Sequence, residues 1–295
     1  MAAVAGSAGA APPAAASPRA AAFFDLDRTL IEGSSAFQFG RAAYRAGLMG
    51  RRQLLADAIA NVRFRLRGST DADSLALRNR IAASLQGTRV QDLERLGAPV
   101  LAGILPRVYP QVLALAHEHQ DAGRGAYIVT AASQELADIL ARVLALDGAI
   151  GSDLSEVRDG VYTGQPTGVF VYRAGKAQAI EALAAREGID LAASYAYSDS
   201  ESDLPMLRAV GHPVAVNPDS ALVRIAREEG WQVLRFDRLS RRLKTAAALS
   251  AAAAAGGAGS AALVGRARRR GVRRWVVPRR RSVRGRLVSR RTRWS

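Results

Sequence analysis

The sequence predicts an α/β protein with a mainly parallel sheet, and two observations support that fold class. Strand-like and helix-like segments alternate after Pro106, which implies parallel strands covered by helices on both faces. Acidic and hydroxyl side chains directly follow several of those strands. In parallel sheets the ligand lies beyond the carboxyl ends of the strands, so we expect the functional residues to be among these side chains.

The first predicted strand, residues 21–24, leads directly into a pair of aspartates. From residue 34 to about residue 105 the apolar residues recur at helical intervals, and this region contains no convincing strand. Breaks between its helices are expected at residues 68–71 and 87–88, where Gly, Ser and Thr occur together. The sequence therefore predicts a helical insertion after the first strand.

Helices and strands alternate in the second half of the chain. The predicted helices are residues 112–120, 134–146, 176–187, 203–209 and 220–229, and the predicted strands are residues 126–129, 149–150, 193–197 and 213–216. Asp159-Gly160 lies between Val157 and residues 161–162, and this dipeptide is typical of a tight hairpin turn. A short β-hairpin is therefore expected there.

Length and composition exclude several classes of function. The 295 residues have room for one large domain or two small ones. The absence of cysteine excludes disulfides, thiolate metal sites and cysteine nucleophiles. Of the net charge of +16, residues 266–295 contribute 14 arginines and no acids, which leaves about +2 for the rest. The basic character therefore belongs to a tail, and the main body is close to neutral.

Both ends of the chain are predicted to lie outside the folded body. Residues 1–20 are expected to be a disordered Ala/Pro-rich tail, because three prolines interrupt their weakly apolar run. Residues 241–295 are an Ala/Gly linker and an Arg-rich tail, in which residues 245–265 are uncharged but poor in Leu and Val. This end is interpreted as a disordered linker, a membrane-associated element on an anionic surface, or a polyanion-binding segment. The body is expected in the cytoplasm.

Asp25 and Asp27 follow the first strand two residues apart, so an extended backbone would point them the same way. Two carboxylates this close repel each other unless a cation lies between them or one holds a proton. Thr130 ends a second strand and is followed by Ala131 and two further small residues. Small residues there let backbone N–H groups approach a phosphoryl oxygen at a helix N-terminus.

Lys176 opens a predicted helix after Gly175, and it is one of only 2 lysines against 40 arginines. A lysine at that position indicates a need for a compact point charge rather than a planar fork. Asp199 follows another strand, and Asp203 lies four residues later at the start of a helix. A single Asp after a strand is often only a helix N-cap, but this ordered set of acids, Thr130 and Lys176 favours a catalytic site.

These residues resemble the motifs of the haloacid dehalogenase (HAD) superfamily, subfamily IB, which is phosphoserine-phosphatase-like. Residues 25–30 (DLDRTL) match the DxDxT motif, residues 128–130 the second motif, residues 175–176 the third and residues 199–203 the fourth. The resemblance covers about residues 23–237. It implies a Rossmann-like HAD core with an α-helical C1-type cap inserted after the first strand.

The resemblance also divides the folded body into two parts. The catalytic core would comprise residues 21–33 and 106–240, and the helical cap would comprise residues 34–105. The residues before and after this body are the two predicted tails.

For function, the resemblance implies a Mg²⁺-dependent phosphomonoester hydrolase that forms an aspartyl-phosphate intermediate. Asp25 would attack phosphorus, and Asp27 would protonate the leaving group and then deprotonate the attacking water. The metal ligands would be the carboxylates of Asp25 and Asp199 and the main-chain carbonyl of Asp27.

The remaining motif residues would bind the phosphoryl group or support the residues that do. The resemblance implies that Thr130, Ala131 and Lys176 contact the phosphoryl group of the substrate. Asp203 would orient Lys176 and the water around the metal. Positioning and charge neutralisation are the main requirements of phosphoryl transfer, so these roles agree with the chemistry.

The chain departs from the pattern of phosphoserine phosphatases at positions that concern the substrate. Those enzymes carry a glutamate that helps read the substrate's amino group, where this chain has Ser34. Arg63, Arg65 and Arg67 are candidates for a cap arginine that pairs with a substrate carboxylate, and Arg28 inside the first motif is unusual. A small phosphomonoester is therefore favoured, with a lipid phosphate as second choice.

Three other functions compete with this hypothesis. A signalling receiver domain also places acids, a Thr and a Lys around a phosphorylated Asp, but it lacks a helical insertion. A phosphotransferase of the same superfamily would replace water with a second substrate. A polyanion- or nucleic-acid-binding protein would depend on the Arg-rich tail.

The remaining polar and aromatic candidates are predicted to have structural roles. His117 and His119 are expected to be surface residues of one helix. His212 is expected in a loop before Pro213, and Trp231 is expected to contribute to packing. None of these residues is assigned to the site.

Overall fold

Six strands form the central sheet of the protein, in a computed structural model that describes residues 19–47, residue 50 and residues 71–236. They are β1 (Ala21–Asp25), β2 (Gly125–Ser133), β3 (Gly148–Ser152), β6 (Tyr195–Ser198), β7 (His212–Val216) and β8 (Gln232–Leu234). Their order is β3-β2-β1-β6-β7-β8, and each neighbouring pair is parallel. The predicted α/β class with a mainly parallel sheet is confirmed.

Helices pack against the sheet, and several of them occur in the part of the sequence between β1 and β2. They are α1 (Ser35–Arg45), α2 (Asp71–Leu85), α3 (Val90–Glu94), α4 (Gly97–Ile104), α5 (Pro110–Asp121), α6 (Gln134–Val143), α7 (Ala174–Glu187), α8 (Leu204–Arg208) and α9 (Ser220–Glu228). Short 3₁₀ turns occupy Leu105–Arg107, Leu191–Ala193 and Glu201–Asp203. From α1 to α4 the regular structure of the described residues is helical, in agreement with the helical insertion that the sequence predicts.

The centre of the sheet is β1, which lies between β2 and β6. Its apolar residues are fully buried, as expected for a parallel strand covered on both faces. Phe24 packs in one core cluster with Ile128 and Leu140, and Phe23 packs in a second cluster with Ile180. Burial of each phenylalanine contributes about 1.5–3 kcal/mol to folding. These two clusters fix the carboxyl end of β1, where the first aspartate lies.

A two-stranded hairpin in the second half of the chain contacts the helical insertion. It consists of β4 (Val157–Arg158) and β5 (Val161–Tyr162), which pair antiparallel as predicted. Asp159 and Gly160 have φ of 52° and 74°, which is the backbone of a type I′ turn. The Tyr162 N–H donates to the Thr88 carbonyl at 2.9 Å, and the Gly87 N–H donates to the Tyr162 carbonyl at 3.0 Å. Main-chain hydrogen bonds therefore hold the loop after α2 against this hairpin.

Two histidine predictions are wrong. His119 is buried. Its Nε2 lies 2.7 Å from the Tyr197 hydroxyl, and its Nδ1 accepts from Arg124 Nε at 2.6 Å. Burial and the neighbouring Arg124 charge lower the pKa of His119 to about 4, so the ring is neutral and Nε2 carries its hydrogen. His212 is not in a loop but begins β7, where its ring stacks on Tyr195. Trp231 packs against the second core cluster, as predicted.

Several sequence predictions concern residues outside the described ranges. The tail predictions for residues 1–18 and 241–295 and the candidate cap arginines Arg63, Arg65 and Arg67 lie there. Within the described ranges, no helix is both long enough and apolar enough to cross a membrane. The boundaries of core and cap stay predictions.

Candidate active site

The predicted site residues from three motifs meet at the carboxyl edge of the sheet. Asp25 is the last residue of β1, and Asp199 directly follows β6, the neighbour of β1. Lys176 lies in the first turn of α7, with its Nζ 2.5 Å from Asp25 Oδ1 and 2.7 Å from Asp203 Oδ2. All four side chains are buried. The fold thus places one ammonium group between acids from two different elements.

A tight turn before α7 fixes the position of Lys176. The Tyr172 N–H donates to the Phe170 carbonyl at 2.7 Å, and the Gly175 N–H donates to the Tyr172 carbonyl at 3.0 Å. A Cβ on Gly175 would overlap the Phe170 carbonyl oxygen, so the turn requires glycine there. Arg173 adopts φ of 53°, which is rare for a residue with a side chain. The chain therefore tolerates backbone strain directly before the lysine.

Asp203 is fixed by a hydroxyl group as well as by Lys176. Ser198 Oγ donates to Asp203 Oδ2 at 2.7 Å, and the same hydroxyl accepts from the Ser200 N–H at 3.2 Å. A buried carboxylate is tolerated only when charged or polar groups surround it in this way. Sequence reasoning missed Ser198, although a hydroxyl residue at the end of a strand and directly before Asp199 was an available signal.

The carboxylate of Asp199 has a different environment, although it is equally buried. Arg28 Nη2 lies 3.0 Å from Asp199 Oδ2, but the angle is not that of a hydrogen bond. Among the described residues, none forms a hydrogen bond with that oxygen. The side chain of Arg28 is 41% exposed, and its backbone has φ of 65°. A partly hydrated guanidinium group therefore balances the charge of Asp199 only in part.

Asp27 is positioned by the beginning of α1. The Ser35 N–H donates to Asp27 Oδ1 at 2.7 Å, and Ser34 Oγ lies 3.2 Å from Asp27 Oδ2. Ser34 occupies the N-cap position of α1, but its hydroxyl makes no capping hydrogen bond. The residue that replaces the expected glutamate thus contacts the second aspartate of the first motif.

Strand β2, which contains Thr130 and Ala131, extends further at its carboxyl end than the sequence predicts. Thr130 is buried, and its Oγ1 accepts from the Ala132 N–H at 3.2 Å. Strand β2 continues past Thr130 to Ser133, and α6 begins only at Gln134. The predicted end of the strand at Thr130 is therefore wrong, whereas the predicted start of the helix at Gln134 is confirmed. The small residues instead form the end of the strand beside β1.

Comparison with known proteins decides the family. Residues 22–208 match the family described as haloacid dehalogenase-like hydrolase. The chain belongs to this family. It is consequently an enzyme of the hydrolase class, and the signalling-receiver alternative is excluded.

Relatives within the HAD family include named phosphatases. The chain is 39% identical over 235 residues to a phosphoserine phosphatase of Mycobacterium tuberculosis, covering 78% of this chain and 76% of that protein. It is 31% identical over 218 residues to a histidinol-phosphatase of Neisseria meningitidis, covering 73% and 98%. A crystal structure of a Bordetella pertussis protein of unknown function is similar with a TM-score of 0.65 and 30% identity, covering 74% and 99%.

The electrostatics of the HAD site show a shortage of positive charge. Burial raises the pKa of Asp25 to about 7, and Asp203 adds to this while Lys176 opposes it. Burial and the charge of Asp25 raise the pKa of Asp199 to about 8, although Arg28 opposes the rise. Burial disfavours the charged form of Lys176, but Asp203 and Asp25 outweigh it and raise its pKa. The lysine therefore stays charged, while the two metal-ligand candidates lack a full countercharge.

HAD phosphatases generally use Mg²⁺, and the donor set of this site fits that ion. In the part of the chain that the structure describes, no three acidic or histidine side chains form a metal-binding group. Asp25 and Asp199 offer two carboxylates from neighbouring strands, one of whose oxygens lacks a hydrogen bond. Mg²⁺ typically takes one or two carboxylates and keeps several waters. An all-oxygen site with two carboxylates is therefore suitable.

Proposed function

We propose that the chain is a Mg²⁺-dependent phosphomonoester hydrolase that forms an aspartyl-phosphate on Asp25. The observation that carries this proposal is the contact of Lys176 with Asp25 and Asp203, beside Asp199, in a member of the HAD family. A buried ammonium group at this place can neutralise both the nucleophile and the transferring phosphoryl group. Phosphoryl transfer depends mainly on such positioning and charge neutralisation.

Asp25 is the proposed nucleophile because its carboxylate is buried and one of its oxygens is fixed. Lys176 holds Oδ1, so we assign the attack to Oδ2. The new bond joins Oδ2 to phosphorus as the bond from phosphorus to the ester oxygen breaks. The polar environment for the phosphoryl oxygens would come from Lys176, the Thr130 hydroxyl and the main-chain N–H of Ala131.

Asp27 is the proposed acid and base. Its two hydrogen bonds to the start of α1 fix the carboxyl group. We assign this group to the side of the departing ester oxygen. Asp27 donates its proton to the departing alkoxide, and then takes a proton from the water that attacks the aspartyl-phosphate. Inorganic phosphate leaves, and the carboxylate of Asp25 is regenerated.

The proposed metal ligands are the carboxylates of Asp25 and Asp199 and the main-chain carbonyl of Asp27. When bound, Mg²⁺ would lower the charge repulsion between the nucleophile and the phosphoryl group. Asp203 is a positioning residue in this proposal, since it touches Lys176 rather than the phosphoryl group.

A small phosphomonoester is the proposed substrate, with a lipid phosphate as second choice. The named relatives act, by their names, on phosphoserine and on histidinol phosphate, which are both small phosphomonoesters. Ser34 contacts Asp27 and supplies no negative charge to pair with a substrate ammonium group. The proposal therefore does not extend to phosphoserine itself. We further propose that the helices from α1 to α4 act as the cap over the site.

The test is phosphate release from a panel of phosphoserine, histidinol phosphate, sugar phosphates and lipid phosphates, with Mg²⁺ or with EDTA. Asp25→Asn should reduce release by at least about ten-thousandfold, because it removes the nucleophile. Asp121→Asn, which changes an exposed aspartate at the end of α5, is the matched control and should retain activity. Equal release by wild type and Asp25→Asn would refute the proposed nucleophile.

A further inference from the structure

The ion pair between Arg28 and Asp199 joins two residues with very different surroundings. Asp199 is buried, whereas the Arg28 side chain is 41% exposed and reaches the acid with one nitrogen, Nη2. The contact is 3.0 Å long, but it lacks hydrogen-bond geometry. A bidentate, well-aligned guanidinium pair would be much harder to separate. The Arg28 contact therefore resembles a displaceable counter-ion more than a structural clamp.

The atom that Arg28 contacts belongs to a carboxylate that is one of the proposed metal ligands. Within the described residues, Asp199 Oδ2 has no hydrogen-bond donor, so this oxygen is available to another cation. A divalent ion bound by Asp199 would lie close to the place now taken by the Arg28 guanidinium. Two positive groups at that distance repel each other, although the hydration of the partly exposed Arg28 side chain weakens the repulsion. The two positive groups would therefore disfavour each other at this oxygen.

We infer that Arg28 is an internal counter-ion of Asp199 that competes with the divalent cation for Oδ2. In the metal-free protein the guanidinium balances a buried carboxylate whose other neighbours are mostly acids. When the metal binds, Arg28 leaves the oxygen and turns to solvent, for which its exposed side chain has room. Arg28 thus weakens metal binding and stabilises the metal-free state. This inference rests on the metal site of the proposed function.

Calorimetric titration of the full chain with Mg²⁺ tests the competition without an activity assay. Arg28→Met removes the charge and keeps much of the length of the side chain, so the Mg²⁺ Kd should become about fivefold lower. Arg28→Lys keeps the charge and should remain close to wild type. Arg186→Met is the matched control, since Arg186 also forms a 3.1 Å ion pair but lies in the last turn of α7, away from the site.

Thermal unfolding distinguishes competition from an ordinary structural role. If Arg28 competes with the metal, Arg28→Met lowers the Tm of the metal-free chain but leaves the Tm in saturating Mg²⁺ close to wild type. Equal losses of Tm with and without Mg²⁺, together with an unchanged Kd, would overturn the inference. Weaker Mg²⁺ binding by Arg28→Met would overturn it as well, because the arginine would then support the metal.

Asp199→Asn, measured in parallel, separates failure of this inference from failure of the proposed function. Wild type that binds Mg²⁺, a much weaker Asp199→Asn and an unchanged Arg28→Met would leave the metal site standing and refute only the competition. Asp199→Asn that binds Mg²⁺ as well as wild type would refute the metal site itself, and the competition with it.

Discussion

Lys176 and Arg28 both lie beside buried aspartates at the same edge of the sheet, but their contacts differ in kind. Lys176 is itself buried and touches two carboxylates, at 2.5 Å and 2.7 Å. Arg28 is partly exposed and touches one carboxylate without hydrogen-bond geometry. Lys176 makes both of its ion pairs within the protein alone. In contrast, the Asp199 oxygen beside Arg28, Oδ2, has no hydrogen-bond donor among the described residues. In the proposed function, Lys176 would contact the phosphoryl group, whereas Asp199 beside Arg28 would contact the metal.

Among the changes that test this difference, the loss of Lys176 should have the largest effect. Lys176→Met leaves two buried carboxylates without their shared partner, which should cost about 3–5 kcal/mol of folding free energy. Phosphate release should fall by about a thousandfold, because the charge that faces the phosphoryl group is lost. Thermal unfolding and steady-state kinetics measure both effects.

The double variant Lys176→Met/Asp203→Asn is the control for the stability change. It removes one of the two uncompensated charges, so it should recover part of the lost Tm without recovering activity. If Lys176→Met alone kept wild-type stability, the charge of Lys176 would not compensate these two acids.

A backbone change next to Lys176 should have the next largest effect. Gly175→Ala places a Cβ against the Phe170 carbonyl oxygen, which forces the start of α7 to move. A displacement of about 1 Å in the lysine should reduce kcat about a hundredfold. Gly97→Ala is the matched control, since its Cβ would meet Ile139 at an ordinary 3.6 Å. Similar kinetics for both variants would show that the turn does not position the lysine.

The raised pKa values of the two proposed metal-ligand carboxylates, Asp25 and Asp199, should make Mg²⁺ binding depend on pH. The pKa of Asp25 is raised to about 7 and that of Asp199 to about 8, well above the unfolded value near 4. Mg²⁺ binds the ionised carboxylates, so it must displace protons at about pH 6 but far fewer at about pH 9. Its Kd should therefore fall by up to about tenfold per pH unit for each proton displaced.

The same shifts determine how the stability of the metal-free chain changes with pH. Because both pKa values are raised in the folded state, their stabilising effect is complete below about pH 4 and is lost as pH rises through about 7 and 8. The metal-free Tm should thus fall between about pH 6 and pH 9, and saturating Mg²⁺ should reduce that fall.

Calorimetric titrations with Mg²⁺ in two buffers of different ionisation enthalpy would reveal the protons that Mg²⁺ displaces. A Kd independent of pH would contradict the account.

The smallest expected effect concerns Ser34. Ser34→Ala removes one of the two hydrogen bonds that orient Asp27, so kcat should fall about tenfold with little change in KM. Ser84→Ala is the matched control, because Ser84 donates only to the Ile81 carbonyl within α2. If Ser34→Ala instead raised KM alone, Ser34 would contact the substrate rather than position Asp27.

The central part of the fold could be predicted from the sequence because it depends on local patterns. The buried run of β1 and the alternation that follows it produced the correct strands at the centre of the sheet. Strand β8 (Gln232–Leu234) was missed, since three partly exposed edge residues carry little periodicity. The extension of β2 to Ser133 was also missed, because the strand continues through small residues with low strand propensity.

Asp25 and Asp199 converge because they lie at the carboxyl ends of neighbouring strands, but the contacts of the site residues could not be predicted from their spacing. Ser198 and Ser34 are ordinary serines in the sequence, and only the fold places their hydroxyls beside Asp203 and Asp27. His119 was predicted at the surface because helical position alone does not reveal a tyrosine 78 residues away. Such long-range polar contacts are properties of the tertiary structure.

The most direct test of the central claim is to trap the phosphorylated enzyme. An activated aryl phosphate has a leaving group that needs no protonation, so Asp27→Asn should still form the intermediate but hydrolyse it slowly. After acid quenching, peptide mass spectrometry should find one phosphoryl group on Asp25 in Asp27→Asn, and none in Asp25→Asn/Asp27→Asn. A phosphoryl group on another residue, or an unmodified Asp25 in a variant that still releases the aryl alcohol, would contradict the account.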